Sequence, residues 1–408
     1  MMENFKTLSI DKQIGIVSRE SEEIISIEDL EKKLYKSKET GQPLKIKYGA
    51  DPSTPDLHLG HSVPLMKLRD IQDIGHEIYY LIGDFTGRIG DPAGSSRTRN
   101  LLTREEIEMN IKSYHEQAFK ILDRQKTKVV YNSEWLEKLS FWNFLYDIAT
   151  KVTVPHVLER KDFKERLDSG LPFTVIEFLY PLIQAYDSVA INADVEIGGT
   201  DQRFNLLLGR KMQEAFGQSP QVALILPLLI GTDGRKKMSK SLGNSINLSD
   251  EPKDMYGKIM SISDEMMLDY YRLLTKIDKN EYGALIKTDP MSAKRRLAKL
   301  IVAYYHDLET AEGCEHNFYR MFREKRAPSD APSLNLTYLF PEQEEIDIID
   351  LLSHTGDRSR SEYRRLINQG AVSFNGEKIT DVHYKMKVDE EGELRVGRNY
   401  FRLTATGD

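Results

Sequence analysis

The chain has almost no cysteine. Cys314 stands alone among 408 residues, so neither an internal disulfide nor a cysteine-built metal cluster can form, which suits a reducing compartment. Long apolar runs are missing too: with 40% hydrophobic and 30% charged residues and a mean hydropathy of −0.49, no stretch is expected to cross a bilayer. The opening "MMENFKTLSIDKQIG" lacks a basic start followed by an apolar stretch, so no secretory leader is read and a bacterial-type, cytoplasmic location is expected. Positive charge is not in excess either. A net charge of −7 argues against non-specific wrapping of nucleic acid, DNA included, while leaving room for a local basic face that meets RNA. No internal repeat or low-complexity tract is present.

What is there alternates between two periods. "LKIKYGAD" and "EIYYLIGDFTG" alternate like strands, "SVPLMKLRDIQDIG" and "TREEIEMNIKSYHEQAFKIL" repeat at helical spacing, and "KVVYNSEWLEKL" passes from one to the other. Thr103 with Glu106 three residues on has capping-box spacing. Such alternation predicts an α/β, doubly wound (Rossmann-like) parallel sheet. The length calls for two or three domains: the sheet domain over 1–250, a helical domain over 251–325, a linker rich in Pro, Ser and charge over 326–343, and a small C-terminal α+β domain over 344–408.

Three stretches carry chemistry. His58 and His61 bracket Leu59 and Gly60 where a strand hands over to a helix. There the unpaired N–H groups of the first turn and the helix dipole favour phosphate, and Gly60 permits close backbone approach. An isolated H-x-x-H is more often a surface pair, and a zinc pair would need a third ligand that no nearby Cys or His cluster supplies. No protein-ligated metal is expected. The second stretch, "DGRKKMSKSLGN" from Asp233 to Asn244, follows the apolar "VALILPLLIG" and reads as a mobile loop able to place Lys237 and Lys240 on a polyphosphate. By itself it is equally a solvated basic turn. The third, "EFLYPLIQAYD", sets Tyr180, Gln184 and Asp187 on one helical face, where a buried carboxylate demands a polar partner; the plain alternative is an amphipathic helix whose polar face meets water.

Together, His58-Leu59-Gly60-His61 and Lys237-Met238-Ser239-Lys240-Ser241 resemble the "HIGH" and "KMSKS" signatures of class I aminoacyl-tRNA synthetases. With "IGDP" at Ile89–Pro92 and "EIGGTDQRFN" at Glu196–Asn205, the chain is similar throughout to bacterial tyrosyl-tRNA synthetases of the KMSKS-bearing subgroup. The resemblance implies activation of L-tyrosine with ATP to tyrosyl-adenylate and pyrophosphate, then transfer to the 3′-terminal adenosine of tRNA(Tyr). It implies ATP as a substrate accompanied by Mg²⁺, and a homodimer.

By position, the resemblance assigns the substrate ammonium to Asp91, Tyr180 and Gln184, its carboxylate to Gln202 and its phenol to Asp187. Lys47 stands where many relatives carry a second, phenol-contacting tyrosine, and is counted with the tyrosine site. Asp51, Ser53, Gly60, Gly199 and Asp201 fall to ATP, with Asp201 on the ribose. Arg99 is placed with the nucleotide, since "AGSSRTR" (with Ser95, Ser96 and Arg97) lacks the lysine many relatives put after "GDP". His58, His61, Lys237 and Lys240 are the catalytic set. The C-terminal "RSRSEYRRLINQGAVSFNGEKITD", Arg358–Asp381, resembles an S-four-like RNA-binding domain, with Arg358, Arg360, Arg364 and Arg365 on a basic face for tRNA and "NGEKI" as a hairpin turn. Three rivals share these features: a tryptophanyl enzyme of the same fold, a paralogue activating a tyrosine analogue, and a non-catalytic RNA-binding scaffold.

Overall fold

The computed structural model describes residues 4–92, 102–324, 326–328, 331–356 and 358–405. It divides into two compact units, Met1–Leu297 and Ala298–Asp408. That division falls inside the helix Pro290–Tyr305, so the stretch expected as one helical domain, 251–325, is shared between the units.

The first unit is built on a six-stranded sheet: β1 (Glu23–Ile25), β2 (Lys45–Ala50), β3 (Glu77–Ile82), β4 (Thr127–Tyr131), β5 (Val195–Gly199) and β6 (Val222–Leu226), in the order β1-β6-β5-β2-β3-β4. Strands β2 to β6 pair in parallel, as the βαβ alternation requires, while the short edge strand β1 runs antiparallel to β6. The sequence reading missed this antiparallel edge, because three residues carry too little alternation to register. β6, "VALIL", is an apolar run buried throughout, as a strand covered on both faces demands, whereas the edge strand β4 is only partly buried.

Strand order turns in opposite directions from the β2–β5 pair: β3 and β4 extend one way, β6 the other. A crevice therefore opens beyond the carboxyl ends of β2 and β5, the place where open α/β sheets bind ligands. Four helices matter to it. Helix α1 (Leu59–Asp73) follows β2 with His58 as its N-cap, α2 (Arg104–Ala118) starts at the Thr103–Glu106 capping box, α3 (Val175–Ile191) starts at a second one, Thr174–Glu177, and α4 (Arg203–Ala215) follows β5. Pro64 is the sixth residue of α1, past the first turn, so the helix forgoes the N–H bond that position would make to the Gly60 carbonyl.

The second unit carries a five-stranded sheet, β7 (Ser333–Asn335), β9 (Val372–Phe374), β10 (Glu377–Lys378), β12 (Gly392–Val396) and β13 (Asn399–Thr404), and a two-stranded one of β8 (Glu345–Asp347) with β11 (Lys385–Lys387). Leu336, Ile346, Leu351, Tyr363, Ile367 and Leu394 lie in its core. Part of the stretch expected as linker is built into this unit: Ser333–Asn335 pairs in parallel with β13, and Leu336–Leu339 is a short helix. Prolines and serines hid it, since three strand residues suffice when a long neighbouring strand supplies the hydrogen bonds. Asn375 and Gly376, both at positive φ, make the β9–β10 turn, the conformation in which a two-residue hairpin follows strand twist.

Candidate active site

The crevice at the ends of β2 and β5 is a cleft of about 720 Å³. Lys47, Asp51, Ser53, His58, Gly60 and His61 line it from β2 and the start of α1; Asp91 lines it from the loop after β3. Tyr180, Gln184 and Asp187 enter from α3, Gly199, Asp201 and Gln202 from the end of β5, and Lys237 and Lys240 from the loop after β6. Residues separated by nearly 200 positions are thus brought to one wall. Arg99, with Ser95, Ser96 and Arg97, lies outside the described residues.

At the deep end sits Asp187, 1% exposed. Its Oδ1 accepts the indole N–H of Trp135 at 2.8 Å and its Oδ2 an amide N–H of Asn132 at 3.3 Å. Burial pushes its carboxyl up to about 7, against the pull of the Lys47 charge and of these two donors. Asn132 also donates to Thr86 Oγ1 at 2.9 Å, and Thr86 donates to Asp51 Oδ1 at 2.8 Å. Tyr180 donates to Asp51 Oδ2 at 2.8 Å. A buried polar chain therefore joins the carboxylate at one end of the cleft to the one at the mouth.

Lys47 lines the cleft, but its ammonium is engaged: Glu196 Oε1 at 2.8 Å, Ser188 Oγ at 2.8 Å and the Gln184 carbonyl at 3.3 Å. These match its three hydrogens, so the geometry supports an action on the pocket through charge rather than direct contact with a ligand.

The middle of the cleft is an amide and carboxylate cluster. Gln202 donates to Asp91 Oδ2 at 2.6 Å and accepts from Asn205 at 3.0 Å; Gln184 accepts from Asn205 at 2.7 Å. Asp91 also accepts from Arg160 at 2.9 Å. Asp91, Gln184 and Gln202 all line the cleft, so this part of its wall is rich in acceptors.

At the mouth, the His58 N–H donates to His61 Nδ1 at 3.2 Å, so His61 carries its proton on Nε2 and can donate outward. The two rings lie 3.9 Å apart. Desolvation, then the neighbouring imidazole and the Lys237 charge, push His58 down to about 2; desolvation and Lys237 push His61 down to about 4. Both are neutral donors at pH 7. A Cβ at Gly60 would lie 2.9 Å from His58 Nδ1, so glycine there makes room for the His58 ring as well as for a ligand.

The loop from Asp233 to Asn244 is held by Met238, which is buried and donates its N–H to the Leu229 carbonyl at 2.8 Å, and by Asn244, which accepts from the Ser239 N–H at 2.8 Å. Its lysines ride on carboxylates: Lys237 on Asp201 at 2.6 Å and Lys240 on Asp56 at 2.5 Å. Among the described residues no three His, Cys, Asp or Glu side chains cluster as metal ligands would, and no helix is long and apolar enough to cross a membrane.

In the second unit, Arg358, Arg360, Arg364 and Arg365 are exposed on or beside the helix α5 (Arg360–Asn368), whose start is capped by Ser359 and Glu362. Arg360 is paired with Asp350.

Sequence reading missed Thr86, Asn132, Trp135, Arg160, Glu196 and Asn205, all of which hold the expected residues in place. The one available signal was position: Asn132 and Trp135 directly follow the end of β4, where a parallel sheet places its ligand-facing residues.

Residues 38–323 match the family described as tRNA synthetases class I (W and Y), and residues 325–396 match the tyrosine–tRNA ligase SYY-like C-terminal domain. The tyrosine–tRNA ligase of Moorella thermoacetica is 47% identical over 399 residues, 96% of this chain and 95% of that protein. That of Geobacter sulfurreducens is 47% identical over 405 residues, covering 97% and 100%, and that of Thermotoga maritima 46% over 405 residues, covering 98% of each. Among solved structures, a C-terminally truncated mitochondrial tyrosyl-tRNA synthetase from Aspergillus nidulans superposes with a TM-score of 0.64 at 20% identity, over 77% of this chain and 94% of that one. Tyrosyl-tRNA synthetase from Archaeoglobus fulgidus, complexed with L-tyrosine, gives 0.60 at 24% identity, over 76% and 100%. At those identities the superpositions speak for the fold.

Proposed function

The chain belongs to the class I tRNA synthetases of the tryptophan and tyrosine family, and from that we propose that its cleft performs tyrosine–tRNA ligation. It activates L-tyrosine with ATP and passes the tyrosyl group to the 3′-terminal adenosine of tRNA(Tyr). The observation that carries the choice of amino acid is Asp187, a buried carboxylate that lines the cleft and is held by Trp135 and Asn132. A phenol O–H adds a further donor to it, which a phenyl ring cannot supply.

Asp91, Tyr180 and Gln184 receive the ammonium, and Gln202 lies beside the carboxylate. That carboxylate is already an anion, so its attack on the α-phosphate needs no general base; the barrier lies in alignment and in charge developing on phosphate. The first-turn N–H groups of α1 and the neutral donors His58 and His61 meet that charge, with Lys237 and Lys240 at the departing pyrophosphate. Asp201 takes the ribose, and Asp51, Ser53, Gly60, Gly199 and Arg99 complete the nucleotide site. To reach ATP both lysines exchange their carboxylate partners for phosphate, so their grip develops as the reaction proceeds. Mg²⁺ would accompany ATP, held chiefly by its phosphate oxygens.

Arg358, Arg360, Arg364 and Arg365 contact tRNA phosphates. The working form is a cytoplasmic homodimer: Phe141, Trp142 and Tyr146 are 78%, 69% and 63% exposed, and Trp142 stacks on Tyr146, a patch that calls for a second apolar surface. Charging of tRNA(Tyr) with labelled tyrosine tests the whole reading. Arg364→Glu with Arg365→Glu should abolish charging while sparing adenylate formation; absence of charging in the unaltered protein would overturn it.

A further inference from the structure

We propose that Arg160 is the positioning residue that sets the charge and shape of the substrate ammonium site; the inference rests on the reading of the cleft given above. Its guanidinium is 4% exposed and every nitrogen is engaged: Nη2 donates to Asp91 Oδ1 at 2.9 Å, Nε to Asp162 Oδ1 at 2.8 Å and Nη1 to Asn205 Oδ1 at 3.2 Å. Asn205 and Asp91 are themselves joined through Gln202, so Arg160, Asp91, Gln202 and Asn205 form a closed ring of hydrogen bonds.

Two consequences follow from that ring. Holding the oxygen of Asn205 fixes which way its amide points, and its NH₂ then reaches the side-chain oxygens of both Gln184 and Gln202; neither glutamine is free to present the wrong end. Charge is set as well. Asp91 and Asp162 bring two negative charges into a desolvated space and Arg160 returns one, leaving a net single negative charge for one ammonium to neutralise. Phe163 covers the guanidinium, 5.2 Å from its ring centroid, which keeps the pair dry. Arg160 does not line the cleft, so it acts through Asp91 and the amides.

The test is steady-state pyrophosphate exchange by full-length R160M and R160K, together with direct binding of tyrosine and of its desamino analogue, 3-(4-hydroxyphenyl)propionate. R160M should raise KM for tyrosine by about tenfold or more, the size expected for losing hydrogen bonds between charged groups. It should leave kcat and the KM for ATP within about twofold, a loss of uniform binding to one substrate. Binding of tyrosine should fall more than binding of the analogue, which has no ammonium. R160K, which keeps a cation in the fold without the planar fork, should recover part of the loss. An unchanged KM for tyrosine in either variant, or equal weakening of tyrosine, analogue and ATP, overturns the assignment. If the unaltered protein shows no tyrosine-dependent exchange, the reading of the cleft falls and this assignment with it; if it does exchange, the variants judge Arg160 alone.

Discussion

The ammonium of Lys47 lies 2.8 Å from Oε1 of Glu196, and the two residues are register partners on the adjacent strands β2 and β5. The pair crosses the point where the sheet changes direction, and Ser188 and the Gln184 carbonyl tie it to α3. One buried ion pair thus fixes the floor of the cleft against the helix that carries Tyr180, Gln184 and Asp187.

Removing one member strands the other in a desolvated site. Lys47→Met is expected to destabilise the fold by about 3–5 kcal/mol, whereas Lys47→Met with Glu196→Gln should recover most of that. Urea unfolding midpoints of the two variants check this; equal losses would show that the ion pair is not what holds this part of the sheet.

Asp187 has a carboxyl pushed up to about 7, and the ionised form is the one that accepts a phenol proton. The ionised fraction falls as pH drops through that value, so KM for tyrosine should rise from pH 8 to pH 6. Trp135→Phe removes a donor that favours the charged form and should displace the profile to higher pH. Tyrosine KM that stays flat in both proteins would remove Asp187 from the phenol site.

Much of this was legible in advance. β2, the start of α1 and the face of α3 could be read because period, capping residues and Gly60 all agree locally, and the residues at the cleft are polar ones at strand ends. The partner of Lys47 could not be read: Glu196 lies far along the chain, and only strand register brings the two together. Arg160 was invisible for the same reason, one arginine in the charged run "LERKDFKER" with nothing local to mark it as buried. The edge strand β1 and the strand β7 inside the expected linker are three residues each, too short for alternation to show.

Lys240 is bonded to Asp56 rather than held free for ATP. Lys240→Ala should therefore slow adenylate formation by about a hundredfold, the scale of losing one donor to developing charge, while equilibrium binding of ATP and tyrosine changes little. Single-turnover fluorescence at saturating substrates measures the rate; a loss expressed wholly in ATP affinity would count against a role in the transition state.

His58 and His61 titrate in the fold near 2 and 4, below the value of an exposed imidazole near 6.5. The unfolded chain then binds protons that the folded chain refuses, so their contribution is complete above pH 6.5 and is lost as pH falls, down to about 4 for His61 and about 2 for His58. His58→Asn with His61→Asn should flatten the acid limb of the stability profile over that window, followed by unfolding midpoints from pH 7 to 4. An unchanged acid limb would mean that the imidazoles are not desolvated as described.

Activation of tyrosine in this cleft is measured most directly by amino-acid-dependent ATP–pyrophosphate exchange with tyrosine, phenylalanine, tryptophan and 4-aminophenylalanine offered separately. Exchange with tyrosine and little with the other three is expected, because Asp187 is proposed to meet a phenol and Lys47 is taken up by Glu196. Exchange led by 4-aminophenylalanine or tryptophan, or none at all, would contradict it.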